Sequence, residues 1–129
     1  MHVYLVRHAK AEPGDPDELR PLAKKGRKQA KELGERFARD GIDAVVSSPL
    51  LRARETANAI AKATKTNVET DERLAPGATP ADVRAVVEGR GERVVVVGHQ
   101  PDFGRAAAAL SGGPEPELPT AGVFELDLK

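Results

Sequence analysis

The sequence predicts an α/β fold, a three-layer sandwich in which a mostly parallel sheet carries helices on both faces. Three short runs rich in β-branched residues, 3–6, 43–46 and 93–97, are almost continuously apolar and are followed by polar residues or Gly. Strands that are covered on both faces have this pattern. Segments with helical spacing of apolar residues separate the runs, and such alternation of strand and helix is typical of a parallel sheet.

Capping and turn residues set the bounds of the first two predicted helices. The first is predicted over 22–39, where apolar residues recur at helical spacing and Gly41 follows as a stop signal. Ser48-Pro49 is predicted to open the second helix, with Ser48 as its cap and Pro49 in its first turn. This second helix is expected to run to about Ala63.

The second half of the chain continues the alternation. Thr79-Pro80 precedes a helix predicted over 81–88, and a last helix is predicted over 101–110, again with a proline at its start. The remaining predicted elements are two weaker strands, 68–70 and 123–128. The second of these alternates apolar and polar residues cleanly, which suits the edge of a sheet.

Length and composition indicate one domain, 1–129, with no sign of a membrane or nucleic-acid partner. The 129 residues carry 20 basic and 20 acidic side chains, so no net charge attracts the chain to nucleic acid or to an anionic membrane. No apolar run approaches the ~20 residues of a membrane span, and no signal peptide is recognisable. The absence of cysteine excludes disulfides, thiol nucleophiles and thiolate metal sites. We expect a cytoplasmic protein. Any positively charged binding site must arise from a local cluster of basic side chains.

Chemically reactive side chains are predicted to meet at one edge of the sheet. In open parallel sheets the ligand site lies beyond the carboxyl ends of the strands, and these ends carry Arg7-His8, 47–49 and His99. Arg52 follows in the first turns of a helix, where free backbone N–H groups attract anions. Arginine binds phosphate oxygens through its planar fork, and histidine can attack phosphorus and exchange a proton near neutral pH. The set predicts phosphoryl transfer.

Four motifs follow one another along the chain. They are Arg7-His8-Ala9, Arg20-Pro21-Leu22 before Gly26, the segment 47–57 that contains Arg52, and Val97-Gly98-His99-Gln100-Pro101. In this order they resemble the motifs of the histidine phosphatase (phosphoglycerate mutase-like) superfamily, above all those of its small SixA-type phosphohistidine phosphatases. The resemblance implies a minimal sandwich without a lid insertion and a hydrolase that uses no metal ion or cofactor.

The resemblance also implies roles for individual residues. His8 matches the histidine that becomes transiently phosphorylated, and Arg7, Arg52 and His99 match the residues that clamp the phosphoryl group. We expect neutral His8 to attack and a protonated His99 to donate to a phosphoryl oxygen, before water cleaves phospho-His8. Candidate substrate-binding residues at the rim are Arg20 and Gln100.

Two departures from the family pattern bear on the substrate. Ala9 stands where most members have Gly, and its methyl group is expected to narrow the pocket. Many phosphomonoesterase members have an acidic residue shortly after an Arg-Leu pair, whereas Arg73-Leu74 is followed here by Ala-Pro-Gly at 75–77. An alkoxide leaving group needs a proton donor, but the imidazole of phosphohistidine leaves with little help. The missing acid therefore favours phosphohistidine, with a phosphorylated protein as the expected partner.

Two other functions remain open on the sequence alone. The first is a small-molecule phosphomonoesterase that takes its acid from a loop, with Asp15, Asp17 and Glu18 as candidates. The second is a phosphate-binding module without catalysis. Turnover of phosphohistidine, alkyl phosphate and aryl phosphate would separate the three functions.

Five further features have ordinary explanations that compete with a role in the site. Arg54 is either a second pocket cation or a partner of a carboxylate on its own helix. Glu55 and Asp102 could orient cationic side chains or simply complement the charge of a helix start. Thr120 could add a hydroxyl group to the pocket or belong to a turn. The basic segment 24–28 is interpreted as a solvated helix face.

Overall fold

The computed structural model describes all residues, Met1–Lys129, and confirms the three-layer α/β fold. Its strands are β1 (His2–Arg7), β2 (Ala44–Ser47), β3 (Val68–Thr70), β4 (Arg93–Gly98) and β5 (Val123–Asp127). Its helices are α1 (Lys24–Phe37), α2 (Leu51–Thr64), α3 (Pro80–Val87) and α4 (Asp102–Ser111). None of the helices has the length and apolar character needed to span a lipid bilayer.

The five strands form one sheet in the order β3-β2-β4-β1-β5. All neighbouring pairs are parallel except β1 and β5, and β5 lies at the edge, as its alternating sequence predicts. The register places Arg7 opposite Gly98 and Ser47 opposite Val97. The carboxyl ends of β1, β4 and β2 are therefore level with one another at a single edge of the sheet.

Alternate residues of the central strands face two separate cores. In β1, Val3 and Leu5 contribute to the core under α3 and α4, whereas Tyr4 and Val6 contribute to the core under α1 and α2. This division follows the two-residue period of a strand. Because helices cover both faces, the continuous apolar runs in the sequence correspond to strands buried on both sides.

The helix starts agree with the sequence in one case and differ in another. At α3, Thr79 and Asp82 form a capping box, with the Thr79 hydroxyl accepting from the backbone of Asp82 and the Asp82 carboxylate accepting from Thr79. At α2, however, Ser48 is not the cap. The helix begins at Leu51, and Leu50 occupies the capping position. The Ser48 hydroxyl accepts from Leu50 N–H at 3.2 Å and contacts His99 after β4, so it does not bind the N–H groups of the first helical turn.

Two single turns of 3₁₀ helix, Asp17–Leu19 and Glu72–Leu74, lie outside the helices and strands that the sequence predicts. Helix α1 starts two residues later than predicted and ends two residues earlier. Within α1, Gly26 packs directly against the backbone carbonyl group of Lys10, which accepts a hydrogen bond from Ala23 N–H at 2.9 Å. The absence of a side chain at Gly26 thus allows α1 to lie close to the segment that follows β1.

A Gly26→Ala substitution should destabilise the protein, although alanine favours helices. The added methyl group would overlap the Lys10 carbonyl, and backbone atoms held by a hydrogen bond cannot move aside. Overpacking costs about 1–3 kcal/mol against a gain of about 1 kcal/mol in helix propensity, so we expect a net loss of up to about 2 kcal/mol. Urea unfolding measures this change in the free energy of unfolding.

The matched control is Gly113→Ala, where the methyl group would meet only the Ser111 hydroxyl oxygen, at 3.5 Å, without a left-handed backbone. This variant should be as stable as the wild type or slightly more stable. Equal stability of both variants would contradict the proposed close packing at Gly26.

Candidate active site

One cavity of about 330 Å³ lies at the edge where the strand ends meet. Its lining residues are Arg7, His8, Asp17, Arg20, Arg52, Pro76, His99 and Gln100. All six residues that the sequence predicts for the site are among them, although they lie up to 93 positions apart along the chain. The lining contains no apolar side chain apart from Pro76, so the cavity suits a charged ligand.

The His8 side chain is held in one orientation by the backbone around it. Its backbone N–H donates to Gly98 O at 3.1 Å, which continues the pairing of β1 with β4 beyond the strand. Its Nδ1 lies 2.7 Å from the carbonyl oxygen of Ala9 and must donate, because a carbonyl can only accept. In the neutral ring the lone pair then resides on Nε2, which has no protein partner and is not among the buried unpaired atoms.

The surroundings keep the His8 ring uncharged. Burial lowers the pKa of His8 to about 4, opposed by the hydrogen bond to Ala9 and reinforced by the positive charges of Arg52 and Arg7. At neutral pH the imidazole therefore presents a lone pair at Nε2 to the cavity. This agrees with the expected protonation state of a nucleophile.

Ala9 faces the protein interior rather than the cavity. It is fully buried, clusters with Leu22 and Ala30, and does not belong to the cavity lining. The expected narrowing of the pocket by its methyl group is therefore wrong. The Ala9 N–H donates to the Thr56 hydroxyl at 3.0 Å, and that hydroxyl donates to Arg52 O at 2.8 Å. Thr56, which the sequence analysis missed within the motif 47–57, thus ties the end of β1 to helix α2.

Three arginines bring positive charge to the cavity. Arg7 donates from Nη1 to Leu118 O at 3.0 Å, and its Nε is the one buried side-chain nitrogen or oxygen atom without a hydrogen-bond partner. Arg52 is 7% exposed and donates from Nη1 to Asp17 O at 2.9 Å. A buried donor without a partner is costly, and Arg7 Nε is such a donor in the free site.

The Asp17 carboxylate lies between two of these arginines. It accepts from Arg20 Nη1 at 3.0 Å and from Arg52 Nη2 at 3.2 Å, while Arg20 Nε donates to Glu12 O at 2.7 Å. The hydrogen bond from Arg20 lowers the pKa of Asp17, and Arg52 lowers it further. Asp17 is therefore ionised at neutral pH and occupies part of the cationic surface of the cavity.

The His99 ring faces His8 across the cavity, with 5.3 Å between the ring centroids. Its Nε2 lies 2.7 Å from the Ser48 hydroxyl oxygen. Burial lowers the pKa of His99 to about 3, and the charges of His8 and Arg52 act in the same direction. In the free site His99 is therefore neutral, because a positively charged ring beside the arginines is unfavourable in a buried site. The expected protonation of His99 concerns the site with a phosphoryl group bound and stays a prediction from the sequence.

The segment 75–77 contains no carboxyl group, and a hydrogen bond holds its backbone in place. Pro76 lines the cavity, and Gly77 N–H donates to the Asp102 carboxylate at 2.8 Å. Asp102 thus holds this segment rather than a cationic side chain. Gln100 lines the cavity while its side-chain oxygen accepts from Gly104 N–H at 2.7 Å, which anchors it to the start of α4.

The other candidates lie outside the cavity lining. Arg54 donates to Pro49 O at 2.9 Å, Glu55 accepts from Leu22 N–H at 2.7 Å, and Thr120 is 3.4 Å from the side-chain nitrogen of Gln29. Each therefore has a structural contact outside the cavity, although Arg54 pairs with a backbone carbonyl group and not with a carboxylate on its own helix. No group of three or more histidine or acidic side chains could hold a metal ion.

The fold of this chain is similar to that of a solved histidine phosphatase. The protein histidine phosphatase SixA in complex with tungstate superposes with a TM-score of 0.89 at 26% sequence identity, covering 99% of this chain and 88% of that chain. The prediction of a SixA-like fold from the four motifs is thereby confirmed.

Sequence comparison adds two relatives and a family. An uncharacterized protein of Picosynechococcus sp. is 35% identical over 127 residues, which cover 88% of this chain and 74% of that protein. The mitochondrial serine/threonine-protein phosphatase Pgam5 of Drosophila simulans is 45% identical over 64 residues, which cover 47% of this chain but 22% of Pgam5. Residues 3–76, more than half of the chain, match the histidine phosphatase superfamily (branch 1). The chain belongs to the histidine phosphatase superfamily.

Proposed function

We propose that this chain is a phosphatase that removes phosphate from protein phosphohistidine through a covalent phospho-His8 intermediate, without a metal ion. The observation that carries the proposal is the geometry of His8. Its Nδ1 proton is held by Ala9 O, so the Nε2 lone pair is available in a cavity that Arg7, Arg20 and Arg52 line. A neutral nucleophile beside fixed cations is the arrangement that phosphoryl transfer requires.

The first step transfers the phosphoryl group to His8. The Nε2 lone pair forms a bond to phosphorus while the phosphorus–nitrogen bond of the substrate breaks, and the electron pair of that bond goes to the leaving ring. The other nitrogen of the substrate ring carries a proton, so the ring leaves as neutral imidazole. The guanidinium groups of Arg7 and Arg52 donate to the phosphoryl oxygens, and Gln100 lines the same cavity. The hydrogen bond from His8 Nδ1 to Ala9 O stabilises the charge that develops on the ring.

The second step releases phosphate. Water attacks the phosphorus atom, the bond to His8 Nε2 breaks, and its electron pair returns to the ring as inorganic phosphate leaves. The arginines already hold the phosphoryl oxygens, so positioning and electrostatics supply most of the acceleration in both steps. We place no metal ion in either step, because three guanidinium groups are available to neutralise the transferred charge.

The lack of a protonated carboxyl group in the cavity supports phosphohistidine over a phosphate ester as the substrate. No carboxyl group is present in 75–77, and Asp17, the cavity carboxylate, is held ionised by Arg20 and Arg52. An ionised carboxylate cannot donate a proton to a leaving alkoxide, whereas an imidazole leaves without strong acid assistance. The similarity to SixA, a protein histidine phosphatase, supports the same substrate class.

The alternative is a phosphomonoesterase, and one observation favours it. Asp17 lies in the cavity and could serve as an acid if substrate binding displaced it from the arginines. Asp15 and Glu18, the other candidate acids, do not line the cavity. Pgam5, which acts on phosphoserine or phosphothreonine by its name, shows that ester cleavage occurs among the relatives. A phosphate-binding module without catalysis is the third function that the sequence leaves open. A cytoplasmic location and the absence of a nucleic-acid partner stay predictions from the sequence.

The experiment that tests the proposal is labelling with a ³²P-phosphohistidine protein. A His8→Ala variant should lose turnover and the covalent intermediate, because the attacking nitrogen is gone while the fold is unaffected. Quenching without acid, followed by peptide mapping, locates the label in the wild type. The control is His2→Ala, since His2 lies at the opposite end of β1. Label on His99, or turnover by a folded His8→Ala variant, would overturn the assignment.

An Arg52→Lys variant should lower kcat/KM at least ~10-fold, equivalent to about 1.4 kcal/mol of transition-state stabilisation. Lysine keeps the positive charge but loses the planar fork that can hold two phosphoryl oxygens. Steady-state kinetics on phosphohistidine protein measures the effect. Arg54→Lys, on the same helix but outside the cavity, is the matched control and should retain the wild-type value. Equal effects of the two substitutions would contradict a direct contact of Arg52 with substrate.

Rates on different leaving groups should separate phosphohistidine hydrolysis from ester hydrolysis. We expect phosphohistidine and aryl phosphate to be cleaved faster than alkyl phosphate, since no acid assists a basic leaving group. Asp17→Asn should not cause the loss of ~10²-fold or more that removal of a general acid produces. Glu18→Gln, on the same turn but outside the cavity, is the control. Such a loss on alkyl phosphate for Asp17→Asn alone would establish the phosphomonoesterase alternative.

A further inference from the structure

The hydroxyl group of Ser48 is fully buried between the end of β2 and His99. Its oxygen has two hydrogen-bond partners, namely the backbone N–H of Leu50 at 3.2 Å and Nε2 of His99 at 2.7 Å. Leu50 N–H can only donate, so the Ser48 oxygen accepts that bond. The hydroxyl proton of Ser48 then has one acceptor within reach, which is His99 Nε2.

The alternative assignment leaves a buried proton without a partner. If His99 carried its proton on Nε2 and donated to Ser48, the Ser48 oxygen would accept twice and its own proton would have no acceptor. Unpaired polar groups in the interior are unfavourable, and native structures avoid them. Donation by Ser48 to Nε2 satisfies every atom of the group.

We propose that Ser48 is a positioning residue that holds neutral His99 in the tautomer with its proton on Nδ1. The Nδ1 atom has no protein partner and is not among the buried unpaired atoms, and His99 lines the cavity, so this proton is available to a ligand. The role of Ser48 in catalysis rests on the proposed function, since the ligand in question is the transferred phosphoryl group. The tautomer itself is a property of the free protein.

This tautomer reconciles two observations about His99. Burial keeps the ring neutral, with a pKa lowered to about 3, yet the resemblance assigns His99 to the clamp around the phosphoryl group. A neutral ring with the opposite tautomer would direct a lone pair at an anion and repel it. With the proton on Nδ1, the same neutral ring donates a hydrogen bond to a phosphoryl oxygen and retains the proton throughout the reaction.

A neutral donor also has a consequence for the substrate. His99 in this form stabilises charge on the phosphoryl oxygens, but a neutral imidazole N–H is too weak an acid to protonate a leaving alkoxide. It therefore adds no general acid to a site that lacks one in 75–77. Ser48 in this way favours substrates whose leaving group needs little protonation.

The decisive measurement is the ¹⁵N spectrum of the histidine rings at neutral pH. The chain has three histidines, so a His2→Asn variant leaves two, and His8→Asn identifies the signal of His99. We expect a pyrrole-type Nδ1 and a pyridine-type Nε2 for His99. A pyrrole-type Nε2, or pyrrole-type signals at both nitrogens, would overturn the proposal without any measurement of activity.

Two serine variants test the cause. Ser48→Ala should shift His99 toward the opposite tautomer and lower kcat on the order of 10-fold, less than the ~10²-fold or more that removal of a catalytic proton donor or acceptor costs. Ser47→Ala is the matched control, because Ser47 is equally buried but donates to Ser48 O and does not touch His99. Ser48→Thr, which keeps the hydroxyl group, should restore the wild-type spectrum.

The outcomes distinguish this inference from the proposed function. Unchanged ring signals in folded Ser48→Ala would overturn the positioning role even if the enzyme hydrolyses phosphohistidine. The expected tautomer in the wild type, together with its loss in Ser48→Ala, would support the role. If that protein hydrolysed no phosphohistidine, the proposed function would fall while the assignment of Ser48 stood.

Discussion

The register of three parallel strands is the constraint on which the site depends. Arg7 pairs with Gly98 and Ser47 pairs with Val97, so His8, His99 and Ser48 each lie just beyond a strand at the same level. Backbone hydrogen bonds from His8 to Gly98 O and from Ser48 to Val97 O continue the ladder past the strand ends. A shift of one residue would turn these side chains to the opposite face of the sheet. The apolar cores on both faces therefore fix the geometry of the site indirectly.

Burial among cations then sets the chemistry of these side chains. Three arginines and one carboxylate border the cavity, so the free site has an excess of positive charge and one unpaired buried donor at Arg7 Nε. Under these conditions a protonated histidine is unfavourable, and both His8 and His99 are held neutral. Neutrality gives His8 a lone pair, but it also means that His99 can serve as a donor only if its tautomer is fixed. In the same electrostatic environment, His8 thus needs a lone pair facing the cavity, whereas His99 needs an N–H group facing it.

The sequence predicted the sheet, the helices and the six residues around the cavity, because strand ends and capping residues are local signals with a clear geometric meaning. It failed where the outcome depends on contacts between distant segments. Ser48 has the residue type and the position of a helix cap, but the nearness of His99, 51 positions along the chain, draws its hydroxyl elsewhere. The direction of the Ala9 methyl group depends on Leu22 and Ala30. The neutral state of His99 in the free site depends on how deeply its ring is buried, on which no motif carries information.

Long-range contacts also determine what the carboxylates near the cavity do. Asp102 begins α4 close to the cavity, and its carboxylate accepts from Gly77 N–H and so holds the segment 75–77, in which Pro76 lines the cavity. Asp17 reaches the cavity but is ionised between Arg20 and Arg52. Each carboxylate near the cavity is therefore engaged in holding a backbone segment or an arginine in place. The proposed preference for a leaving group that needs little protonation thus rests on these two contacts as well as on the absence of a carboxyl group in 75–77.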